Sequence, residues 1–343
     1  MKHLAKLFIL FCVSSLFAQQ PYYNNVDITL TGEDLYYALQ QKIQIASTTF
    51  SYGDNKTSMK FTDEDPENPN KVLLIYGYND NDGNCTTDRS RDKGFFGGNN
   101  CQYNREHTFA KSNANPIMTG DTGIIADPQN LRPSDQRMNN DRGNRKMSAG
   151  SGNAGNAGSG WYPGDEWKGD VARIMMYMYT RYGDRCKPSL NGTGEFQGAT
   201  EMLKIYLQWN AEDPVNDFED QRNTYLEPVY GNRNPFIDNP YLATIIWGGP
   251  MAEDRWGMMG IQDVLAEQIG IYPNPSSEMV WVSDNTSFPV VNYSVYDIYG
   301  RRVLHNTFNT TEKKIDVSDL HKGIYLLELY STNKKIVKKM RVQ

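Results

Sequence analysis

The segment NREHTFAKS, residues 104–112, contains His107, the only histidine between residues 3 and 305 of the chain. The other three histidines are His3, His305 and His321. A zinc site built from several histidines is therefore excluded around residue 107. The remaining option is chemistry with one imidazole as proton acceptor, beside a carboxylate and amide oxygens that suit a hard cation such as Mg2+.

Two segments that follow His107 are rich in asparagine, arginine and aspartate. They read DPQNLRPS at residues 127–134 and MNNDRGN at residues 138–144. Such residues also favour turns and left-handed backbone positions, but turn formation gives no reason for their association with a lone histidine. A proton acceptor, oxygen ligands and arginines together form an inventory that fits hydrolysis of a phosphodiester.

The first residues have the pattern of a secretory signal peptide. Basic Lys2 and Lys6 precede an apolar run at residues 7–17, and Ala18 provides a cleavage point, so residues 1–18 are predicted to be removed. This run is too short to span a bilayer, and no later stretch of about 18 apolar residues occurs. We therefore expect an exported chain without an integral membrane segment after signal removal.

Three cysteines remain after loss of the leader, which removes Cys12. An odd number in an oxidising compartment predicts one disulfide and one free thiol. Cys85 and Cys101 flank a polar, Gly-rich loop just before residue 104 and are the favoured pair, with Cys186 as a competing partner.

Length and charge set broad limits. The 343 residues accommodate two domains, which we place at residues 19–265 and 266–343. The net charge of -6 differs from the excess of positive charge that is typical of a tight DNA-binding protein. It does not exclude a nucleic-acid enzyme, because a catalyst must release its substrate and can bind phosphates locally. No recognition helix, zinc finger or basic region is visible, so little base-specific recognition is expected.

Apolar spacing predicts the main elements of the larger domain. Helices are expected at residues 35–45, 171–183, 201–210 and 214–230, and a buried strand at residues 71–76. The low-complexity stretch SAGSGNAGNAGSG, residues 148–160, is predicted to be a mobile loop because its glycine, serine, asparagine and alanine residues cannot bury a sizeable apolar surface.

The residue pattern of the sequence changes after residue 265. From residue 271 onward, short alternating segments with a turn every 8 to 12 residues predict a small antiparallel β-sandwich. The lysine-rich end, residues 334–339, is interpreted as a charged edge strand, with a recognition tail as the alternative.

The larger domain resembles the bacterial endonuclease I family, which is of the ββα-metal or His-Me finger type. Four ordered blocks carry the resemblance: Arg105-Glu106-His107; Asp127 with Asn130-Leu131 and Pro133; Asn139 with Asp141-Arg142 and Asn144; and GNRNPF at residues 231–236. The resemblance covers residues from about 30 to 245. It implies an α+β fold class, with a mainly helical nuclease domain that contains an embedded ββα-metal motif.

The resemblance also implies roles for individual residues. His107 would be the general base, and Glu106 and Asn139 would hold one Mg2+ ion, with Mn2+ or Ca2+ as alternatives. Arg142 is our own candidate for a contact with the phosphate in the transition state, since matching to the family does not assign that role. Further residues are expected to support these groups or contact substrate: Arg105, Asp127, Asn130, Arg132, Asn144, Asn232, Arg233 and Asn234. Asn232 and Asn234 could instead be turn formers beside a proline.

The match departs from the family in two places. Gln129 stands where relatives often have histidine, and residues 113–126 lack the arginine that some relatives use to hold the scissile phosphate. Arg132, Arg142 and Arg233 are the candidates for that role. Arg142 could equally form a structural salt bridge with a nearby carboxylate.

The C-terminal module resembles the type A sorting domain of the type IX secretion system of Bacteroidetes. The motifs that carry this resemblance are YPNP at residues 272–275, YDIYG at 296–300, IDVSDL at 315–320, GIY at 323–325 and the terminal lysines. The resemblance implies export by the signal peptide and then translocation across the outer membrane by the type IX machinery. The protein would be secreted or held at the cell surface.

Together these features predict a secreted, monomeric, Mg2+-dependent endonuclease that hydrolyses DNA with little sequence preference and leaves 5′-phosphate ends. RNA is left open as a second substrate. The alternative is a non-catalytic surface adhesin or glycan-binding protein, which the many tyrosines would suit. Glycoside hydrolysis by paired carboxylates is a further class, but no particular pair of residues indicates it.

Overall fold

A computed structural model describes residues 19–258, 269–283, 289–308, 312–331 and 335–343. The predicted signal peptide and the predicted domain boundary at residues 265 and 266 lie outside these ranges. None of the described helices combines the length and the apolar composition needed to cross a bilayer.

Helices contribute most of the regular structure of residues 19–258. They are α1 Gly32–Ile43, α2 Asn55–Thr62, α3 Gln136–Arg142, α4 Lys168–Tyr182, α5 Pro188–Asn191, α6 Lys204–Glu212, α7 Asp217–Tyr230, α8 Pro235–Asp238 and α9 Tyr241–Trp247. Short 3-10 helices occur at Pro21–Tyr23, Lys111–Asn113, Gly123–Ala126 and Gly183–Cys186.

The strands of the same region form three small antiparallel sheets. They are β1 Glu64–Asp65, β2 Asn68–Leu73, β3 Ser90–Asp92, β4 Tyr103–His107, β5 Leu131–Asp135, β6 Gly155–Ala157 and β7 Gly160–Tyr162. β1, β2 and β3 form one sheet, β4 pairs with β5, and β6 pairs with β7.

The predicted helices are found, with shifted starts. α4 ends at Tyr182 and is capped by Gly183, as expected, and it is buried on nearly every face, which explains its many apolar residues. α6 begins three residues later than predicted. α7 begins at Asp217 because the Asn216 side chain accepts a hydrogen bond from the Glu219 backbone N–H and caps the helix.

The predicted strand at residues 71–76 is buried but shorter than expected. β2 ends at Leu73, and beyond it the backbone N–H of Ile75 donates to the carbonyl of Pro133 at 2.9 Å. Tyr76 has a left-handed backbone with φ of 76° and leaves the sheet. The apolar run therefore connects the sheet that contains β2 to the β4–β5 pair. It does not form one long strand of a single sheet.

The prediction of a mobile loop at residues 148–160 is wrong from residue 155 onward. These residues enter a hairpin of β6 and β7, and the Ser148 N–H donates to the Trp161 carbonyl at 2.8 Å. A Cβ atom at Gly160 would lie 2.7 Å from the Lys146 carbonyl oxygen, so the close backbone approach requires glycine. Small residues thus serve backbone packing here, a role that composition does not reveal.

The C-terminal module is a two-sheet antiparallel structure with its own apolar core. Its strands are β8 Ile271–Tyr272, β9 Met279–Val282, β10 Asn292–Tyr296, β11 Arg302–Thr307, β12 Lys314–Asp316, β13 Gly323–Tyr330 and β14 Lys335–Val342. The sheets run in the orders β11-β10-β13-β14 and β12-β9-β8. The lysine-rich β14 is an edge strand, as predicted, and the fold class of the chain is α+β.

Candidate active site

β4, β5 and α3 form a compact unit in which two antiparallel strands lead directly into a helix. The strand register pairs Tyr103 with Asp135 and His107 with Leu131. α3 starts at the next residue because the Asp135 side chain accepts hydrogen bonds from the backbone N–H groups of Arg137 and Met138, at 2.8 and 3.2 Å. This cap joins the strand to the helix without a loop and places α3 beside β4.

A cleft of about 320 Å³ lies where β4 meets α3. Its lining includes every residue of the predicted catalytic and metal-binding set, and it also contains side chains that the sequence did not single out. The lining residues are Tyr52, Asn104, Arg105, Glu106, His107, Ala110, Lys111, Ser112, Asn139, Asn140, Arg142, Gly143 and Asn144.

His107 is held in one orientation at the end of β4. Its Nε2 atom lies 2.8 Å from the backbone carbonyl oxygen of Ile125, and its ring stacks on Tyr52 with centroids 5.4 Å apart. Because a carbonyl only accepts hydrogen bonds, Nε2 carries the proton and Nδ1 has the free lone pair. Burial lowers the pKa of His107 to about 4, although the Ile125 contact opposes this shift. The imidazole is therefore neutral near pH 7 and able to accept a proton.

Glu106 is only 3% exposed and is held by two side chains. The Tyr76 hydroxyl donates to its Oε1 at 3.0 Å, and the Arg142 guanidinium contacts the same oxygen at 3.0 Å. Burial raises the pKa of Glu106 to about 7, while Arg142 and Tyr76 act in the opposite direction. A second positive charge would stabilise this carboxylate further.

Asn139 lies on the first turn of α3 and faces the strand. Its amide nitrogen donates to the Asn104 Oδ1 atom at 2.7 Å and to the Arg105 carbonyl at 3.3 Å. Both contacts use the nitrogen, so the amide oxygen is the atom that could accept a ligand.

Glu106 and Asn139 have the donor chemistry of a hard-cation site. Within the described residues, no group of three or more histidine, cysteine, aspartate or glutamate side chains could hold a metal ion. One carboxylate and one amide oxygen would leave most coordination positions to water and phosphate, which suits Mg2+ because it dehydrates reluctantly. The buried Glu106 carboxylate, whose pKa is raised, fits such an ion.

Arg142 lines the cleft from beneath and has no exposed surface. Besides its ion pair with Glu106, it donates to the backbone carbonyls of His107 and Thr108, at 3.0 and 2.8 Å. The alternative that the sequence left open, a structural salt bridge with a nearby carboxylate, is the arrangement observed. Arg142 therefore holds the end of β4 and orients Glu106.

Arg132 and Arg233, the other candidates for holding phosphate, lie away from the cleft in buried ion pairs. The Arg132 guanidinium binds Asp63 at 2.6 Å and Asp170 at 3.0 Å. The Arg233 guanidinium binds Asp238 and, at 2.8 Å, Glu227. The expectation that either one contacts substrate does not fit this geometry, because the charges are already neutralised inside the protein.

Asp127 and Asn232 belong to a buried polar network behind the cleft. Asp127 accepts hydrogen bonds from the hydroxyls of Tyr177 and Tyr182, and it forms an ion pair with Arg181 at 2.8 Å. Asn232 accepts from the Tyr177 hydroxyl at 3.1 Å. This network anchors the segment whose carbonyl at residue 125 orients His107, so both residues support the position of the His107 ring from a distance.

The remaining predicted residues have structural contacts. Asn130 bonds the backbone N–H and carbonyl of Phe109, at 2.7 and 3.1 Å, and so fixes the chain just after β4. Asn234 caps α8, whereas Asn144 is at the cleft rim and donates to the Ser112 hydroxyl at 3.2 Å. Gln129, at the position where relatives often have histidine, donates to Asn223 at 3.1 Å in the interior.

Two cationic side chains in the cleft remain accessible to an anion. The Arg105 guanidinium lies 3.6 Å from the centroid of the Tyr52 ring, and Lys111 is exposed in the 3-10 helix after β4. The sequence analysis placed Arg105 in the supporting set and missed Lys111, Tyr52 and Tyr76. Lys111 could have been found from its position four residues after His107, whereas no local signal connects the two tyrosines to the site.

The cysteine pairing favoured from sequence is confirmed. Cys85 and Cys101 form a disulfide, and Cys186 is a buried free thiol. The bridge closes the loop that precedes β4, so it restrains the chain immediately before the cleft.

Comparison with known proteins identifies the two parts of the chain. Residues 31–241 match the Endonuclease I family, and residues 270–343 match the secretion system C-terminal sorting domain. An extracellular ribonuclease of Bacillus subtilis is 39% identical over 236 residues, which cover 63% of this chain and 75% of the relative.

Two further relatives extend the comparison. An extracellular ribonuclease of Bacillus amyloliquefaciens is 38% identical over 232 residues, again covering 63% of this chain and 75% of the relative. An extracellular deoxyribonuclease of Aeromonas hydrophila is 28% identical over 123 residues, covering 33% and 48%. The chain therefore belongs to the Endonuclease I family and, with its C-terminal sorting domain, is a secreted or cell-surface nuclease.

Proposed function

We propose that this nuclease is a metal-dependent endonuclease that hydrolyses phosphodiester bonds of both DNA and RNA with little sequence preference and leaves 5′-phosphate ends. The observation that carries the proposal is the contact between the His107 Nε2 atom and the Ile125 carbonyl. This contact leaves the Nδ1 atom of His107 free to accept a proton in a cleft that also contains Glu106 and Asn139.

His107 would act as the general base. With a pKa lowered to about 4 by burial, the ring is neutral over the physiological range and takes a proton from the attacking water at Nδ1. The stacked Tyr52 ring and the Ile125 carbonyl hold the imidazole in place, so little reorganisation is needed when the proton moves.

Glu106 and Asn139 would hold the divalent ion, with Mg2+ as the first choice and Mn2+ or Ca2+ as alternatives. When bound, such an ion supplies charge stabilisation to the pentacovalent transition state and to the leaving 3′ oxygen. Arg142 orients Glu106 and favours its ionised form, and the donation of the Asn139 nitrogen to Asn104 leaves the amide oxygen for a ligand.

Arg105 and Lys111 are the groups that we assign to the substrate phosphates. Both line the cleft, while Arg132 and Arg233 are neutralised elsewhere. Contacts with the phosphate backbone carry no sequence information, which supports low sequence preference. The relatives named ribonuclease and those named deoxyribonuclease together support action on both nucleic acids.

The C-terminal sorting domain implies the type IX secretion machinery as the partner for export, and we propose that the exported protein is a monomer. The domain boundaries proposed are residues 1–18 for the signal peptide, 19–265 for the nuclease and 266–343 for the sorting domain. The match at residues 31–241 and the separate apolar core of residues 269–342 support this division.

The test is digestion of supercoiled plasmid and of RNA by the mature chain, with Mg2+ or with EDTA. We expect metal-dependent cleavage that is lost in His107→Ala and Asn139→Ala but retained in His305→Ala, a matched control in the sorting domain. Products should accept ligation without prior phosphorylation, as 5′-phosphate ends do. A folded wild-type protein that is inert on both nucleic acids with every metal tried would favour the adhesin or glycan-binding alternative.

A further inference from the structure

A second cleft, of about 310 Å³, lies in the nuclease domain and shares no lining residue with the cleft around His107. We call it the aromatic cleft and define it by the six side chains that the argument uses. They are Glu33, Tyr36 and Tyr37 from α1, Tyr179 from α4, Glu201 from the segment before α6, and Trp247 from α9.

Four aromatic rings form the walls of the aromatic cleft. The Tyr36 ring lies between the others, with its centroid 5.3 Å from Tyr37, 5.4 Å from Tyr179 and 6.2 Å from Trp247. The Tyr179 and Trp247 rings are stacked at 6.3 Å with an angle of 30° between their planes. The Tyr37 side chain is 53% exposed, so aromatic surface is accessible from solvent.

The charges at the aromatic cleft are negative. Glu33 and Glu201 are exposed at its rim, and none of the described residues that line it is a lysine, an arginine or a histidine. Glu201 forms an ion pair with Lys187 at 3.3 Å, but no described residue forms an ion pair with Glu33. Burial raises the pKa of the Tyr179 hydroxyl to about 12, with further contributions from the Glu201 and Asp184 carboxylates.

This combination disfavours the nuclease substrate as the ligand. Two carboxylates repel the phosphates of a nucleic acid, whereas aromatic faces attract a cation through the ring quadrupole. Sugars also stack on aromatic rings, but they carry no charge to complement the two carboxylates, and two of the hydroxyl groups in the cleft are already engaged. The Tyr36 and Thr200 hydroxyls already donate to the carbonyls of Tyr179 and Gln197, at 3.0 and 2.7 Å.

We propose that the aromatic cleft is a binding site for a small organic cation with a substituted ammonium group. Tyr37, Tyr179 and Trp247 would contact the alkyl groups of the cation, and the Glu33 and Glu201 carboxylates would complement its charge. The site is separate from the catalytic cleft, so binding there adds a ligand to the secreted nuclease without occupying its active site.

The test is calorimetric titration of the mature full-length chain with choline and with 3,3-dimethylbutan-1-ol, its uncharged carbon isostere. We expect choline to bind at least about tenfold more tightly, since only the cation gains from the rings and carboxylates. Tyr37→Ala should weaken choline binding about fivefold or more, whereas Tyr37→Phe should retain it. The double variant Glu33→Gln with Glu201→Gln should also weaken binding.

Matched controls separate this site from general effects. Tyr299→Ala removes an exposed tyrosine of the sorting domain and should leave choline binding unchanged. Nuclease activity should be the same in all these variants, so the proposal stands or fails independently of the catalytic assignment. Equal affinity for choline and its isostere, binding of N-acetylglucosamine in place of choline, or no binding of choline would each overturn it.

Discussion

β5 and β13 are both strands of antiparallel pairs, yet they bury their residues in opposite ways. β13, in the sorting domain, alternates buried and exposed positions from Tyr325 onward. β5, beside the active site, is buried at all five positions even though three of them are Arg132, Ser134 and Asp135. An alternating strand is stabilised by one apolar face, whereas β5 depends on polar partners from distant segments. The candidate active site lies beside β5, where these polar partners are located.

The largest expected effect contrasts the histidine of β4 with a histidine of β11. His107→Ala should lower kcat by roughly 10^2 to 10^4-fold, because the proton acceptor is removed. His305→Ala should leave kcat unchanged, since that ring bonds Ser294 and the Tyr293 carbonyl within the sorting domain. Steady-state rates on plasmid DNA measure the difference, with thermal unfolding as a control for folding. Comparable losses in both variants would contradict the assigned base.

The second contrast concerns stability. Arg132→Met should lower the free energy of unfolding by about 3 kcal/mol or more, because Asp63 and Asp170 lose a buried cation. The matched change Lys339→Met on β14 should alter it by about 0.5 kcal/mol or less, since that side chain is exposed. Denaturant unfolding measures both values. Similar small effects would mean that the charges of β5 contribute no more than surface charges.

The third contrast is between metal binding and proton binding at the Glu106 carboxyl group. Its pKa is raised to about 7, so the carboxyl is protonated below that pH, and a bound metal ion requires the ionised form. The Mg2+ concentration for half-maximal activity should therefore rise about tenfold for each pH unit from 7 down to 5, and should stay constant above pH 7.

At saturating Mg2+, kcat should change little over the same interval. His107, with a pKa of about 4, remains neutral at pH 5 and above. Activity titrations with Mg2+ at several pH values measure both quantities. A metal requirement that is independent of pH between 5 and 7 would rule out Glu106 as the ligand that titrates.

The smallest expected effect concerns phosphate contacts by exposed lysines. Lys111→Gln should weaken substrate binding a few-fold and reduce the slope of log affinity against log salt by about 0.9, the value for one phosphate contact on duplex DNA. Lys314→Gln, on exposed β12 of the sorting domain, should leave the slope unchanged. KM or binding measured from 50 to 200 mM salt tests this. Equal slopes in both variants would show that Lys111 does not contact the substrate phosphates.

Several features were predictable because their signals are local. The end of α4 near Gly183 and the edge position of β14 follow from neighbouring residues, and both predictions are confirmed. The hairpin at residues 155–162 was missed because small residues read as a flexible loop, whereas Gly160 is needed for close backbone contact. The composition of a segment shows which side chains it lacks. It does not show which other backbone segments approach it in the fold.

The arginines of the site illustrate the same limit. Arg132, Arg142 and Arg233 were all candidates for the phosphate contact in the sequence, and Arg142 was the one assigned to the transition state. In the fold, all three are paired with carboxylates, and Arg105 is the arginine left in the cleft beside Tyr52. Pairing depends on residues 63, 106 and 238, which no local pattern connects to these arginines.

By itself, the sequence predicted which group is available to accept a proton and which residue types surround it, because His107 is the only histidine between residues 3 and 305 and the Glu and Asn positions follow in fixed order. It also determined export, through the order of motifs after residue 270. Only the tertiary structure decided which ring nitrogen is free and which charges are neutralised. Those properties arise from contacts with Ile125, Tyr52 and Tyr76, which are distant in the chain and meet His107 and Glu106 only after folding.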